Sequence, residues 1–378
     1  MITRLRSELN LVTSGWGFYD DELSTVVQTK ANVQRRLPVF THLKPVGSGR
    51  TAFIAAAGPS LDQAIAFLQS HRDCGVLLSC GTALRSLYQA GLTPDFHVTI
   101  ERSYPPYQAL IKGLPAEYLQ KIPIIAPSRI YPGIFQLTHK PLMYAKKPDA
   151  GGAVFPAPVP RIPFDNPTVT NGALTMALAL GFETIVLMGV DFGSRDPKMH
   201  HSKGTVYYDK GQGFYTQEAK YPLKVQGWDG QPVFTSRTLF WSKRSAESVI
   251  QACPDIVFLN ASDGVDIEGT EHVGVEELAH RLPLMDRNEA AQRITDSFST
   301  SYLEGWDADT ILDDLDRDFE RLLLPVKAIM QRRVQSRNDL IHLFYDLHQE
   351  LHTKLAGKNY ILYKLVDGTL THMQHIVF

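Results

Sequence analysis

The sequence predicts an α/β chain: a Rossmann-like, mostly parallel sheet with helices on both faces, followed by an α-helical C-terminal region. Three observations predict it. Short, continuous apolar runs recur at residues 51–57, 75–79, 96–100, 122–126, 184–188 and 256–260, as expected of strands buried on both faces. Helical spacings lie between them, at 61–70, 83–90, 172–180 and 242–252, and such alternation of strand and helix defines a doubly wound domain. From about Met285 the pattern changes to amphipathic helices alone.

The 378 residues suffice for one large or two ordinary domains. Residues 1–47 are polar and mixed, and read as an N-terminal helical cap and linker. Residues 48–284 carry the α/β domain. Its first strand runs straight into G-P-S-L, with Ser60 where a helix N-cap belongs. The second strand ends in the small-residue turn S-C-G-T-A-L, and the third in T-I-E-R-S, which places Glu101 and Arg102 at a strand end. T-V-T-N-G-A puts Thr170, Asn171 and Gly172 ahead of a small-residue helix, and G-V-D-F-G puts Asp191 at the end of the strand after it. Two stretches interrupt the rhythm. Residues 140–167 are rich in Pro and Gly, and 194–235 are polar with Gly, Tyr and Trp; both read as long irregular loops, the first a candidate lid.

Residues 285–378 read as a helical hairpin or small bundle. Leu312, Leu315, Phe319, Leu322, Val326 and Ile329 fall on one helix face, with Pro325 as a kink site. Leu340, Ile341, Phe344, Leu347, Leu351 and Leu355 repeat the spacing. Such a tail caps the α/β domain, joins two copies as a homo-oligomer, or docks a partner.

A formal net charge of −2 with 21% charged residues argues against a broad nucleic-acid or membrane surface. Cys74, Cys80 and Cys253 are odd in number and far apart, which fits neither a disulfide framework nor a zinc site and points to a reducing compartment. The first residues lack the apolar core of a signal peptide, and no run approaches the roughly 20 apolar residues of a membrane span. The expected location is cytoplasmic.

The turn at Gly58, Pro59, Ser60 and Leu61 sets a strand end against a helix N-terminus. That favours an anion, typically a phosphate, although an ordinary strand–turn–helix corner would look the same. Neither the P-loop spacing nor G-x-G-x-x-G is present there. Several polar turns converging at strand ends would enclose a phosphate and a ribose. H-H-S-K-G-T, from His200 to Thr205, lies in the polar loop, and a histidine near its solution pKa suits general-base work.

G-P-S-L, T-V-T-N-G-A, L-G-F-E-T-I-V-L-M-G-V-D-F and N-A-S-D-G-V-D-I-E-G-T, in that order, resemble the central domain of the motility-associated factor (Maf) proteins. These are bacterial flagellin glycosyltransferases, similar in fold to bacterial sialyltransferases that use CMP-sialic acid. The likeness covers about residues 51–270, and the helical tail also resembles that of the Maf proteins. It implies transfer of a nonulosonic acid, pseudaminic or legionaminic, from its CMP form to Ser or Thr of flagellin. On that likeness Gly58, Pro59, Ser60 and Leu61 hold CMP, and Cys80, Gly81 and Thr82 form a polar turn at the nucleotide. Thr170, Asn171 and Gly172 match the stretch beside the donor. Asn260 and Ser262, with Asp263, match a turn near the nucleotide, and Glu101 and Arg102 stand at the same end of the sheet. His201 is the implied base with His200 second, and Asp191 joins them in the catalytic set. Tyr207, Tyr208 and Lys203 are candidates to stabilise the departing phosphate. No cofactor is expected. Asp191 and Asp196 are the acids that would bring in Mg²⁺, which is not expected to be required.

The same domain also resembles archaeal 6-hydroxymethylpterin diphosphokinases. That alternative is an ATP- and Mg²⁺-dependent phosphotransferase, which should cluster carboxylates at the strand ends; here they are sparse, at Glu101, Asp191 and Asp263. A third reading is a non-catalytic nucleotide-binding scaffold for the helical tail.

Overall fold

The computed structural model describes residues 17–46, 49–209, 221–304, 307–355 and 360–377. In chain order the first half contains α1 (Tyr19–Gln34), β1 (Val39–Phe40), β2 (Thr51–Ala55), α2 (Leu61–Ser70), β3 (Val76–Cys80), α3 (Ala83–Gln89), β4 (Phe96–Val98), α4 (Tyr104–Gly113), α5 (Ala116–Lys121), β5 (Ile124–Pro127), β6 (Pro141–Lys146), α6 (Ala150–Ala153) and β7 (Arg161–Ile162). The second half continues with α7 (Val169–Leu180), β8 (Thr184–Met188), β9 (Leu223–Gln226), β10 (Pro232–Thr235), α8 (Arg237–Gln251), β11 (Val257–Asn260), β12 (Glu271–His272), α9 (Val275–Arg281), α10 (Arg287–Asp296) and β13 (Phe298–Ser299). Three long helices follow: α11 (Ala308–Met330), α12 (Arg337–Leu355) and α13 (Tyr360–Val377).

The main sheet runs β12-β11-β8-β2-β3-β4-β5-β6-β1-β13, with β7 beside β6. Its pairings are parallel except for β13 against β1. The order reverses at β2: successive strands β3 to β6 build outward on one side, and β8, β11 and β12 on the other. The crevice beyond the carboxyl ends of β2 and β8 is therefore the topological switch point, where open α/β sheets bind ligands.

Side chains of β2 divide between two cores with the two-residue period of a strand. Ala52 and Ile54 pack in the layer of α7, α8 and α10. Phe53 and Ala55 pack in the layer of α2, α3 and α9. Both faces are thus dry, which is why these strands read as unbroken apolar runs.

The structure revises several expectations. Residues 140–167 are not one irregular loop or lid: Pro141–Lys146 is an interior strand, buried beyond its first residue, and proline is tolerated at the first position of a strand. Within the loop expected at 194–235, β9 and β10 form an antiparallel hairpin; residues 210–220 lie outside the described chain. The sheet also extends past 48–284 at both ends, since Val39 and Phe40 pair with Ser299 and Phe298.

The tail has a third helix, α13, that the leucine spacing did not reveal. Pro325 lies inside α11. Of the expected face on that helix Val326 is half-buried and Ile329 buried, while the side chains of Leu312, Leu315, Phe319 and Leu322 lie outside what is described. On α12, Phe344, Leu347 and Leu351 are buried, Leu340 and Ile341 half-buried, and the Leu355 side chain is not described. Val26 of α1, Ala150 and Val154 at α6, and Ile361, Leu362 and Leu365 of α13 share one core. The N-terminal helix and the tail therefore form a single cap on the sheet. Among the described residues no helix is long and apolar enough to cross a membrane. Cys74, Cys80 and Cys253 are free thiols.

Candidate active site

The carboxyl ends of β2, β3, β4 and β8 open into a cavity of about 500 Å³. Gly58 lies on its wall from the β2 turn, Cys80, Gly81 and Thr82 from the β3 turn, Glu101 beyond β4, and Thr170 from the start of α7. Asp191 enters from the β8 turn, and His200, His201 and Tyr207 from the polar loop. Turns far apart in sequence thus converge on one crevice.

The polar loop is pinned across that crevice. The Ser202 N–H donates to Ala57 O at 2.9 Å. The Ser202 hydroxyl donates to Asp62 Oδ1 of α2 at 2.5 Å and bonds Ser86 Oγ of α3 at 2.8 Å. The Lys203 N–H donates to Asp62 Oδ2 at 3.2 Å. Tyr208 clamps the turn by accepting from the His201 N–H at 2.8 Å and donating to His201 O at 3.0 Å. The His201 ring stacks on Tyr207 at 3.8 Å between centroids, and its Nδ1 contacts Nδ1 of His200. Lys203 and Tyr208 hold this loop and do not line the cavity.

Burial, with His200 beside it, lowers the His201 pKa to about 3, and burial lowers that of His200 as well. His201 is therefore neutral in the empty site, and its burial opposes protonation. Asp191 is 3% exposed. Burial raises its carboxyl to about 6; hydrogen bonds from Ser60 oppose the rise and the Asp263 charge adds to it. Burial pushes the Cys80 thiol far up, so it presents a neutral S–H.

The other expected ligand-binding residues support the wall from behind. The anion at the G-P-S-L turn is the protein's own: Asp191 Oδ2 accepts the Ser60 N–H at 3.0 Å, and Oδ1 accepts the Asp263 N–H at 3.1 Å. The turn's other N–H groups are engaged too, Gly58 to Gly189 O and Leu61 to Gly58 O, and Pro59, Ser60 and Leu61 do not line the cavity. Asn171 Oδ1 accepts the Thr168 N–H at 3.2 Å, and its Nδ2 donates to Ser242 O at 2.9 Å, tying α7 to α8. Gly172 is a packing point, where an added Cβ would lie 2.6 Å from Ile100. Asn260 Oδ1 accepts the Ser262 N–H, and Ser262 Oγ accepts the Val190 N–H at 2.9 Å, so this turn fixes the end of β8.

Arg102 points elsewhere. It pairs with Asp21 of α1 and lies with Arg129, Lys146 and Asp149 on a second, polar cavity of about 450 Å³ beneath the cap. Among the described residues there is no group of three or more His, Cys, Asp or Glu that could hold a metal ion.

Two lining residues carried no sequence signal, Arg85 of α3 and His97 of β4. His97 is fully buried, with Nδ1 2.9 Å from Ser79 Oγ, and burial lowers its pKa to about 4. An unfolded histidine titrates near 6.5. As pH falls from 7 to 5, the unfolded chain takes up protons at His97 and His201 that the fold refuses. The fold takes one up at Asp191 that the unfolded carboxyl does not. The balance is about one proton favouring unfolding, so these groups should cost about 1 kcal/mol per pH unit near pH 5. In His201→Gln that contribution should fall to near zero, which urea midpoints at pH 5 and 7 would measure. An unchanged difference between the two midpoints would contradict the neutral, buried His201.

Fold and cavity together define a Rossmann-like α/β protein with a histidine-bearing crevice at the switch point of its sheet. Three comparisons place it further. Residues 25–197 match the family described as 6-hydroxymethylpterin diphosphokinase MptE-like. An uncharacterized protein of Treponema pallidum (strain Nichols) is 36% identical over 74 residues, which span 19% of this chain and 35% of that protein. The structure of a Maf glycosyltransferase from Magnetospirillum magneticum AMB-1 superimposes on the whole of this chain with a TM-score of 0.77 at 24% identity. The chain spans 57% of that glycosyltransferase. The likeness establishes a shared fold that includes the helical tail.

Proposed function

We propose that the chain is a glycosyltransferase that moves a nonulosonic acid, pseudaminic, legionaminic or related, from its CMP-activated form to Ser or Thr hydroxyls of flagellin. The observation that carries this reading is the pinned His200–His201 loop over the switch-point cavity, in a chain that shares its whole fold with a Maf glycosyltransferase. CMP lies against Gly58, the Cys80–Thr82 turn and Thr170. The acceptor oxygen attacks the anomeric carbon while the bond from that carbon to the CMP phosphate breaks. The acceptor proton passes to His201 on the ring nitrogen turned away from His200, and the bond's electron pair leaves with CMP. Proton transfer of this kind contributes about 10²–10⁴-fold. In this reading Tyr207, which lines the cavity, is the loop hydroxyl that donates to the departing phosphate, and fixed donors in a water-poor site serve developing charge well. No metal or other cofactor takes part in this reading. The location is cytoplasmic, and the tail is a candidate surface for self-association.

The match of residues 25–197 to the MptE-like family favours a second reading, an ATP- and Mg²⁺-dependent phosphotransferase. A scaffold without turnover is the third. Calorimetric titration of the protein with CMP and with ATP, each with and without Mg²⁺, separates them. CMP binding that is indifferent to Mg²⁺, followed by transfer of sugar mass from a CMP-nonulosonate to flagellin, is the expected result. Mg²⁺-dependent ATP binding with no CMP signal would replace it by the phosphotransferase. CMP binding without turnover on any acceptor would leave the scaffold.

A further inference from the structure

We propose that Arg85 is the anion-binding residue of the main cavity: its guanidinium takes a phosphate or carboxylate of the ligand in competition with Asp209. The inference rests on the CMP-donor reading only for the identity of the anion.

Among the described residues lining the cavity, Arg85 is the permanently charged cation; the acids are Glu101 and Asp191. Three histidines share the wall, and burial holds each of them neutral near pH 7. Among the described lining residues, an anionic ligand entering this space therefore meets acids, neutral rings and one fixed positive charge. A guanidinium offers two N–H edges in a planar fork that matches phosphate and carboxylate. Asp209 occupies one N–H, with Arg85 Nη1 donating to its Oδ2 at 2.7 Å. The side chains are 19% and 28% exposed, and a pair so placed adds little. The Arg85 side chain passes close to Gly113, where an added Cβ would lie 3.1 Å from its Cδ. It also stands on α3, directly after the Cys80–Thr82 turn on the same wall. A ligand phosphate can thus compete with Asp209 for the Arg85 guanidinium.

Calorimetric titration of the full chain with CMP, cytidine and inorganic pyrophosphate tests the assignment. In the unaltered protein CMP should bind at least about tenfold tighter than cytidine, as a charge-assisted bond to phosphate requires. Arg85→Gln should weaken CMP by about 10- to 100-fold and leave cytidine unchanged, which also shows that the cavity is intact. Arg85→Lys should recover part of the loss. Asp209→Asn removes the competitor and should tighten CMP about two- to fivefold, again without effect on cytidine. Equal losses of CMP and cytidine in Arg85→Gln, or weaker CMP binding in Asp209→Asn, would overturn the assignment. If CMP and cytidine both fail to bind while pyrophosphate binds through Arg85, the CMP reading falls and the anion site stands. If none of the three binds in an Arg85-dependent way, the anion site falls.

Discussion

Gly58→Ala is expected to destabilise the protein by about 3 kcal/mol and to abolish ligand binding in the main cavity. Gly58 is not there for an unusual backbone conformation. It is there because two chain segments nearly touch. Its N–H donates to Gly189 O at 2.9 Å, which ties the β2 turn to the β8 turn. A Cβ would lie 2.1 Å from Asp191 Oδ2 and 2.5 Å from Gly189 O. Neither neighbour can give way alone. Asp191 holds the Ser60 and Asp263 N–H groups, and on its far side an added Cβ at Gly264 would lie only 2.0 Å from its carbonyl oxygen. The methyl group must therefore push apart the two turns that make the switch point, and the Asp191 carboxylate moves with them. Urea denaturation of Gly58→Ala beside Gly274→Ala measures this. Gly274 has nothing within 4 Å of its would-be Cβ and serves as the clash-free control, its own cost being that of an alanine at the N-cap of α9. If Gly58→Ala unfolds at the wild-type midpoint and binds CMP normally, the two turns are not mutually braced as described.

The same contacts explain how far the sequence could be read. β2, β3 and β8 were legible because each is buried on both faces and so is apolar throughout. β6 was not, although it is as deeply buried, because Pro141 opens it and the Pro- and Gly-rich run 148–163 follows. α13 carries Gly368 in its interior, a poor helix former. In the fold that glycine is where α13 crosses the N-terminal segment, and a Cβ there would lie 2.0 Å from Gly17 O. At the site, the turn residues and the histidine loop were legible as turn chemistry. The occupant of the G-P-S-L turn was not, because the engaging carboxylate of Asp191 comes from a strand end 131 residues away. Arg85 and His97 sit inside a helix and a strand, where single side chains carry no motif; only the sheet order brings them to the crevice.

His201→Gln should lower the rate of sugar transfer by about 10²–10⁴-fold with little change in CMP affinity. The expectation follows from where the ring is held. Its backbone is clamped by Tyr208 and its face is stacked on Tyr207, so the imidazole lines the cavity from the polar loop, whereas the proposed nucleotide contacts come from the turns at Gly58 and Cys80. Its basicity in the empty site is low because burial and His200 disfavour the cation. A bound, doubly negative donor reverses that balance: an anion nearby favours the charged imidazolium and raises the pKa toward the working pH. General-base strength is then present only when the donor is in place, which also disfavours wasteful proton uptake in the empty site. The pH profiles should differ accordingly. In kcat/KM, which reports the free protein, no ionisation near 6.5 should belong to His201, and the acid limb should fall near 6 with Asp191. In kcat, which reports the loaded protein, a further limb should appear above pH 3 and vanish in His201→Gln. His200→Gln should leave that limb in place and raise its midpoint, because the neighbouring ring that opposes protonation is gone. If His201→Gln keeps the full rate while His200→Gln loses it, the base is His200, and the stacked ring is a spacer that positions it.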